Sequence, residues 1–228
     1  MEDVEIDVGP TIGSVPGILL RPPDAWLLYV LANGAGAGMR HRFMDAIAEA
    51  LAARGIATLR YEFPYRAAGG RRPDPPTVLQ ATVRAAVAEA TRLAPDLPLV
   101  AGGKSLGGRM TSGAQAREPL ASVHALVFLG FPLHPPKQLG VSRAEHLAGV
   151  HIPMLFLQGT RDDLADLALV TDVCRDLGPR ATLHVVDGAN HAFEVLKRSG
   201  RTDEEVREEL VRTIEEWCRA LTEALEAT

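Results

Sequence analysis

Leu99-Val100-Ala101-Gly102-Gly103-Lys104-Ser105-Leu106-Gly107-Gly108-Arg109-Met110 decides how the rest of the chain is read. An apolar run breaks into glycines around a single serine and continues into helix-compatible residues, which predicts strand, sharp turn and helix in immediate succession. Gly103-x-Ser105-x-Gly107 has the form of a nucleophile elbow. In such a turn the serine adopts a strained backbone, its hydroxyl stands at the top of a sheet, and small neighbours let strand and helix approach closely. Five letters of common residue types carry little weight alone, so the flanking chain has to supply what the serine needs.

The nearest letters dispose of two rivals. Gly103-Lys104-Ser105 resembles the end of a phosphate-binding loop, but that pattern needs glycine at position 98, where Pro98 stands. Gly34-x-Gly36 after a strand suggests a dinucleotide fingerprint, but its last glycine position is Met39 and its strand comes third instead of opening the fold.

Outward from the elbow, strands and helices alternate. Upstream, residues 4–8 alternate apolar and acidic as a half-buried strand, 14–20 suit its antiparallel partner, and 26–32 and 56–61 are apolar enough for central strands. Phe43, Met44, Ile47 and Leu51 repeat at helical spacing, as do Leu79, Val83, Ala86, Val87, Ala90 and Leu93. Between them, residues 66–76 are rich in Arg, Gly and Pro and are expected to form an exposed, mobile loop. Downstream, strands are expected at 123–130, 152–158 and 181–186 and a helix at 164–177. A last helix from about Thr202 carries the stripe Val206, Leu210, Ile214, Trp217, Leu221 and Leu225. This order predicts one α/β domain over 1–228, a three-layer α/β/α sandwich whose mostly parallel sheet opens with an N-terminal antiparallel hairpin. Ligands of such sheets bind at the carboxyl ends of the strands, where the loops beginning at Asn33, Gly102, Phe131, Gly159 and Asp187 should meet.

Composition narrows the function classes. A chain of 228 residues, 46% hydrophobic, can bury a sizeable core, and a net charge of -5 offers no basic surplus for nucleic acid. The acidic start Met1-Glu2-Asp3-Val4-Glu5 is unlike a signal peptide and no apolar run reaches membrane-spanning length, so a cytoplasmic protein without a membrane partner is expected. Cys174 and Cys218 fall in helical patterns and read as buried thiols, and nothing implies a metal ion or a cofactor. Monomer and homodimer both stay open.

A serine hydroxyl needs a base to take its proton and an acid to hold that base in the right tautomer. His191, in Gly188-Ala189-Asn190-His191 after the last strand, is the best base; as a plain turn residue it would cap the next segment. Asp162 is preferred as the acid, with Asp163 as the alternative and Asp187 and Glu194 as weaker rivals. Asp163 lies directly before the expected helix and fits its N-cap. Donors for a tetrahedral oxyanion are expected from the N–H of Leu106 and from the loop Asn33-Gly34-Ala35-Gly36, with Ala35 favoured.

The order Ser105, Asp162, His191, each after an expected strand, resembles the α/β-hydrolase superfamily. Asn33-Gly-Ala-Gly-Ala-Gly38, Phe63-Pro-Tyr65, Gly102 through Met110, Gly130-Phe-Pro-Leu-His-Pro-Pro136, Leu157-Gln-Gly-Thr-Arg-Asp162 and Gly188-Ala-Asn-His191 resemble, more narrowly, the KANL3/Tex30-like branch related to dienelactone hydrolases. The resemblance implies an α/β-hydrolase fold with minimal or no lid, Ser105 as nucleophile, Asp162 as acid, His191 as base, and the Asn33 loop as oxyanion loop. This chain departs from the family's usual His-Gly start of that loop by carrying Asn33-Gly34. The expected activity is a serine hydrolase on a small-molecule acyl substrate, a carboxylic ester above all; the alternative is a catalytically silent binding or scaffold protein. With no long insertion, the pocket should be shallow and suited to a short or polar acyl group, with Met39, Phe63, Tyr65, Leu133 and His134 as candidate wall residues.

Overall fold

The computed structural model describes residues 1–226, with side chains through Ala224, so the side chain of Leu225 in the C-terminal stripe lies outside the described residues. Its strands are β1 (Glu2–Asp7), β2 (Ser14–Leu20), β3 (Leu27–Ala32), β4 (Ile56–Tyr61), β5 (Leu99–Lys104), β6 (Val123–Leu129), β7 (Met154–Arg161) and β8 (Ala181–Asn190). They form one sheet in the order β1-β2-β4-β3-β5-β6-β7-β8. β2 is antiparallel to both β1 and β4, and every other pairing is parallel. The helices are α1 (Arg42–Ala52), α2 (Pro64–Ala67), α3 (Pro76–Leu93), α4 (Leu106–Arg117), α5 (Leu167–Leu177) and α6 (Asp203–Glu226).

Strand periodicity builds the three layers. In β3, Leu28, Val30 and Ala32 face the core under α3, α4 and α5, whereas Leu27, Tyr29 and Leu31 face the core under α1 and α6. Val206, Leu210 and Ile214 of α6 pack with Met44, Ile47 and Leu51 of α1 on that second face. Strands covered on both sides turn no face to solvent, which is why β3 and β4 are buried at every residue, Thr58 and Arg60 included. Both cysteines are free and buried. The chain leaves β3 in one direction and returns to β5 on its other side, so the carboxyl ends of β3 and β5 form the switch point where loops diverge and leave room for a ligand.

Three segments differ from the sequence reading. The helix expected from residue 164 begins at Leu167, and its N-cap is Asp166, which accepts from the N–H groups of Ala168 and Leu169. Asp163 caps nothing, because the Asp162 carboxylate accepts from the N–H of Leu164 at 2.8 Å and holds the chain in a turn before the helix can start. β8 runs past Val186 to Asn190 through a register irregularity opposite Gly159 and Arg161, where the Thr160 hydroxyl accepts from the N–H of Gly188. The segment 66–76 is largely exposed but tied back, with the Asp74 carboxylate accepting from the N–H of Tyr65 at 2.8 Å.

Between β6 and β7, residues 130–153 carry only the short 3₁₀ turn Glu145–Gly149, so no helical insertion covers the end of β5 among the described residues. No helix among them is long and apolar enough to cross a membrane.

Candidate active site

Ser105 sits between β5 and α4 at φ 51, ψ −112, a conformation that a side-chain-bearing residue adopts only when its surroundings impose it. Here the surroundings are backbone. A Cβ on Gly103 would lie 2.2 Å from the carbonyl oxygen of Ala32, and one on Gly107 2.5 Å from the same atom. Glycine at both positions lets β5 and α4 close on β3, while the Ser105 N–H donates to the Leu129 carbonyl at 3.2 Å. The hydroxyl is thereby left at the carboxyl end of the sheet.

His191 follows β8 and reaches the elbow. Its Nε2 is 2.9 Å from Ser105 Oγ, and its Nδ1 is 2.7 Å from Asp162 Oδ2. A carboxylate only accepts, so Nδ1 carries the proton and Nε2 is left to accept from the serine hydroxyl. The Asp162 side chain is 1% exposed and also accepts from Gln158 Nε2 and the N–H of Leu164, so its charge is held by three donors. Gln158 is itself fixed, its Oε1 accepting from the N–H of Phe131 at 3.0 Å. Asp163 is exposed. Asp187 accepts from the Thr160 hydroxyl at 3.4 Å and Glu194 pairs with Arg42 at 3.2 Å, so neither rival carboxylate is turned to His191.

The loop after β3 approaches the serine from the other side of the switch point: a Cβ on Gly34 would be 3.8 Å from Ser105 Cβ. Asn33, fully buried, orders this loop by donating from Nδ2 to the carbonyls of Gly34 at 3.0 Å and Ala37 at 2.7 Å. Tyr65 supports it from below, its hydroxyl donating to the Ala35 carbonyl at 2.9 Å. Burial raises the Tyr65 phenol above its ordinary pKa, which keeps that donor protonated. Leu106 is the first residue of α4, where backbone N–H groups have no partner inside the helix.

A cavity of about 720 Å³ opens above Ser105 and His191, bounded by the loop 34–37, by Phe43 and Met44 of α1, by Leu164, and by Phe193. The Phe43 and Phe193 rings stack at 5.9 Å with 9° between their planes. The structure does not bring Met39, Phe63, Tyr65, Leu133 or His134 to this cavity; all five are buried in the body of the fold. Phe63 stacks on Tyr65, Met39 donates its N–H to Glu62, and His134 accepts from the N–H of Asp166 just before α5. Phe43 and Met44 escaped the sequence reading because they lie on the helical repeat that also marks core. Phe193 had a signal, its place two residues after His191. A second serine–histidine contact, Ser112 Oγ to His146 Nε2 at 2.7 Å, lies under α4. There the serine is fully buried, and desolvation together with Arg109 pushes His146 down to about 4.

The model of the alpha/beta hydrolase domain matches residues 25–219. Among solved structures, the chain is similar to a dienelactone hydrolase from Anabaena variabilis, at 23% identity and a TM-score of 0.75 over 95% of each chain. It is similar as well to a lidless α/β serine hydrolase from Xanthomonas campestris, at 22% identity and a TM-score of 0.72 over 95% of this chain and 94% of that one. An esterase domain from Rhodothermus marinus matches at 16% identity and a TM-score of 0.70, over 96% of this chain and 98% of that one. At these identities the likenesses establish the fold, and the family match covers most of the sequence. The chain belongs to the α/β-hydrolase family.

Proposed function

We propose that the protein is a serine hydrolase that cleaves small carboxylic esters. The observation that carries this reading is the unbroken hydrogen-bonded line from Ser105 Oγ through both nitrogens of His191 to the buried Asp162 carboxylate. As the Ser105 oxygen attacks the ester carbonyl, His191 Nε2 takes its proton, and Asp162 stabilises the imidazolium while keeping the ring in the required tautomer. The N–H groups of Leu106 and Ala35 receive the oxyanion, the latter in a loop held rigid by Asn33 and Tyr65. His191 then returns the proton to the leaving alkoxide. Water, deprotonated by the same nitrogen, attacks the acyl-enzyme, releases the acid and restores the serine.

The cavity modifies the substrate expected from sequence. Its volume of about 720 Å³ and the paired rings of Phe43 and Phe193 favour an apolar group of some size over a short polar one. Within the family, the motifs around Asn33, Ser105, Phe131, Asp162 and His191 support membership of the KANL3/Tex30-like branch, near the dienelactone hydrolases.

Hydrolysis of p-nitrophenyl esters by single variants tests the assignment. Ser105→Ala and His191→Ala should abolish turnover, and Asp162→Asn should lower kcat by about 10⁴, the effect of forcing the histidine into the wrong tautomer. Asp163→Asn should stay within twofold of the parent. Turnover lost in Asp163→Asn and kept in Asp162→Asn would refute the choice of acid.

A further inference from the structure

The residue between Gly103 and Ser105 in the elbow is a lysine, and the mechanism above gives it no task. Lys104 ends β5 and lines the cavity, but its ammonium turns toward the other catalytic loop. Lys104 Nζ donates to the backbone carbonyl of His191. It also stands 5.3 Å from the centroid of the Phe193 ring, within cation–π range. Both groups meet over Gly130: a Cβ there would lie 3.0 Å from Lys104 Nζ and 3.5 Å from His191 Nδ1 and Cε1.

The turn so gripped is not relaxed. Phe193 has φ 62, an uncommon value for an aromatic residue, and such a conformation persists only where neighbouring contacts over-determine it. Asn190 supplies part of the restraint, its Oδ1 accepting from the N–H groups of Ala192 and Glu194 at 2.9 Å. Lys104 supplies a restraint that originates on the residue bonded to the nucleophile itself.

We propose that Lys104 is a positioning residue that locks the His191-bearing turn to the nucleophile elbow, fixing the imidazole between Ser105 Oγ and Asp162. This inference rests on the serine-hydrolase reading, because its effect on rate is exerted through His191. A neutral side chain of similar length removes both the hydrogen bond and the cation over the ring. Small displacements of reacting groups are expensive in rate, so Lys104→Met should lower kcat on a p-nitrophenyl ester by about 10–100-fold with KM within twofold. Lys104→Gln, which keeps a neutral donor on a side chain one bond shorter, should recover part of that loss. It also serves as the test variant should Lys104→Met not fold.

Two further readouts separate the clamp from the hydrolase reading. The rate at which a fluorophosphonate labels Ser105 should fall in Lys104→Met in step with kcat. In proton NMR, the downfield resonance of the His191 Nδ1 proton should broaden or move upfield in that variant, whether or not the protein hydrolyses esters. A parent protein that is not labelled sinks the hydrolase reading while the NMR comparison still decides the clamp. An Nδ1 resonance and a labelling rate unchanged in Lys104→Met, or a loss confined to KM, would overturn the positioning role.

Discussion

At the scale of single residues, Asn33 carries an unusual share of the organisation. Its amide reaches two carbonyls of the same loop, Gly34 and Ala37, from a fully buried position. Truncation to alanine would free the loop whose backbone is proposed above as an oxyanion donor. Losing such a donor outright costs about 10²–10³ in kcat, so an indirect loosening in Asn33→Ala should cost about tenfold, with KM little changed. Steady-state kinetics on a p-nitrophenyl ester check this. The elbow was legible from letters because its geometry depends on side chains being absent, and Gly103 and Gly107 announce that directly. The cavity wall was not legible: Met44 also belongs to the core under α1 and α6, and Phe43 packs against it. A helical repeat does not say which of its residues project beyond the sheet edge.

At the scale of elements, the boundary of α5 shows how a side-chain contact displaces a propensity. Asp163 stands directly before an apolar pattern and reads as an N-cap, yet the chain spends residues 162–165 in a turn because Asp162 accepts from the N–H of Leu164 while also receiving His191. The cap passes to Asp166, with bonds of 3.0 and 3.2 Å to Ala168 and Leu169. Asp166→Ala should therefore destabilise the protein by about 1 kcal/mol in urea titration, and Asp163→Ala by less than about 0.5 kcal/mol. The extension of β8 to Asn190 has a similar origin, since Thr160 pins the N–H of Gly188 across an irregular pairing that no sequence period encodes.

At the scale of the whole molecule, the layer order was readable because strands and helices alternate at regular spacing, and right-handed crossovers leave few arrangements. The position of β3 between β4 and β5 then fixes where the loops diverge. The same architecture holds a half-buried cation beside the site, and that has a consequence for global stability. Burial pushes the Lys104 ammonium down to about 8 from its ordinary 10.5, with the Asp162 carboxylate opposing the shift. Between those values the unfolded chain holds a proton at Lys104 that the folded chain has released. The unfolding free energy of the parent should thus rise relative to Lys104→Met as pH increases from about 8 to 10.5, and the difference should be flat below that window. Denaturant titrations of both proteins across this range read the sign. Activation of the Ser105 hydroxyl as a nucleophile is read by incubating the protein with a fluorophosphonate and locating the adduct by mass spectrometry. A single adduct on Ser105, absent in Ser105→Ala and strongly reduced in His191→Ala, is the predicted result; an intact folded protein that acquires no adduct would contradict it.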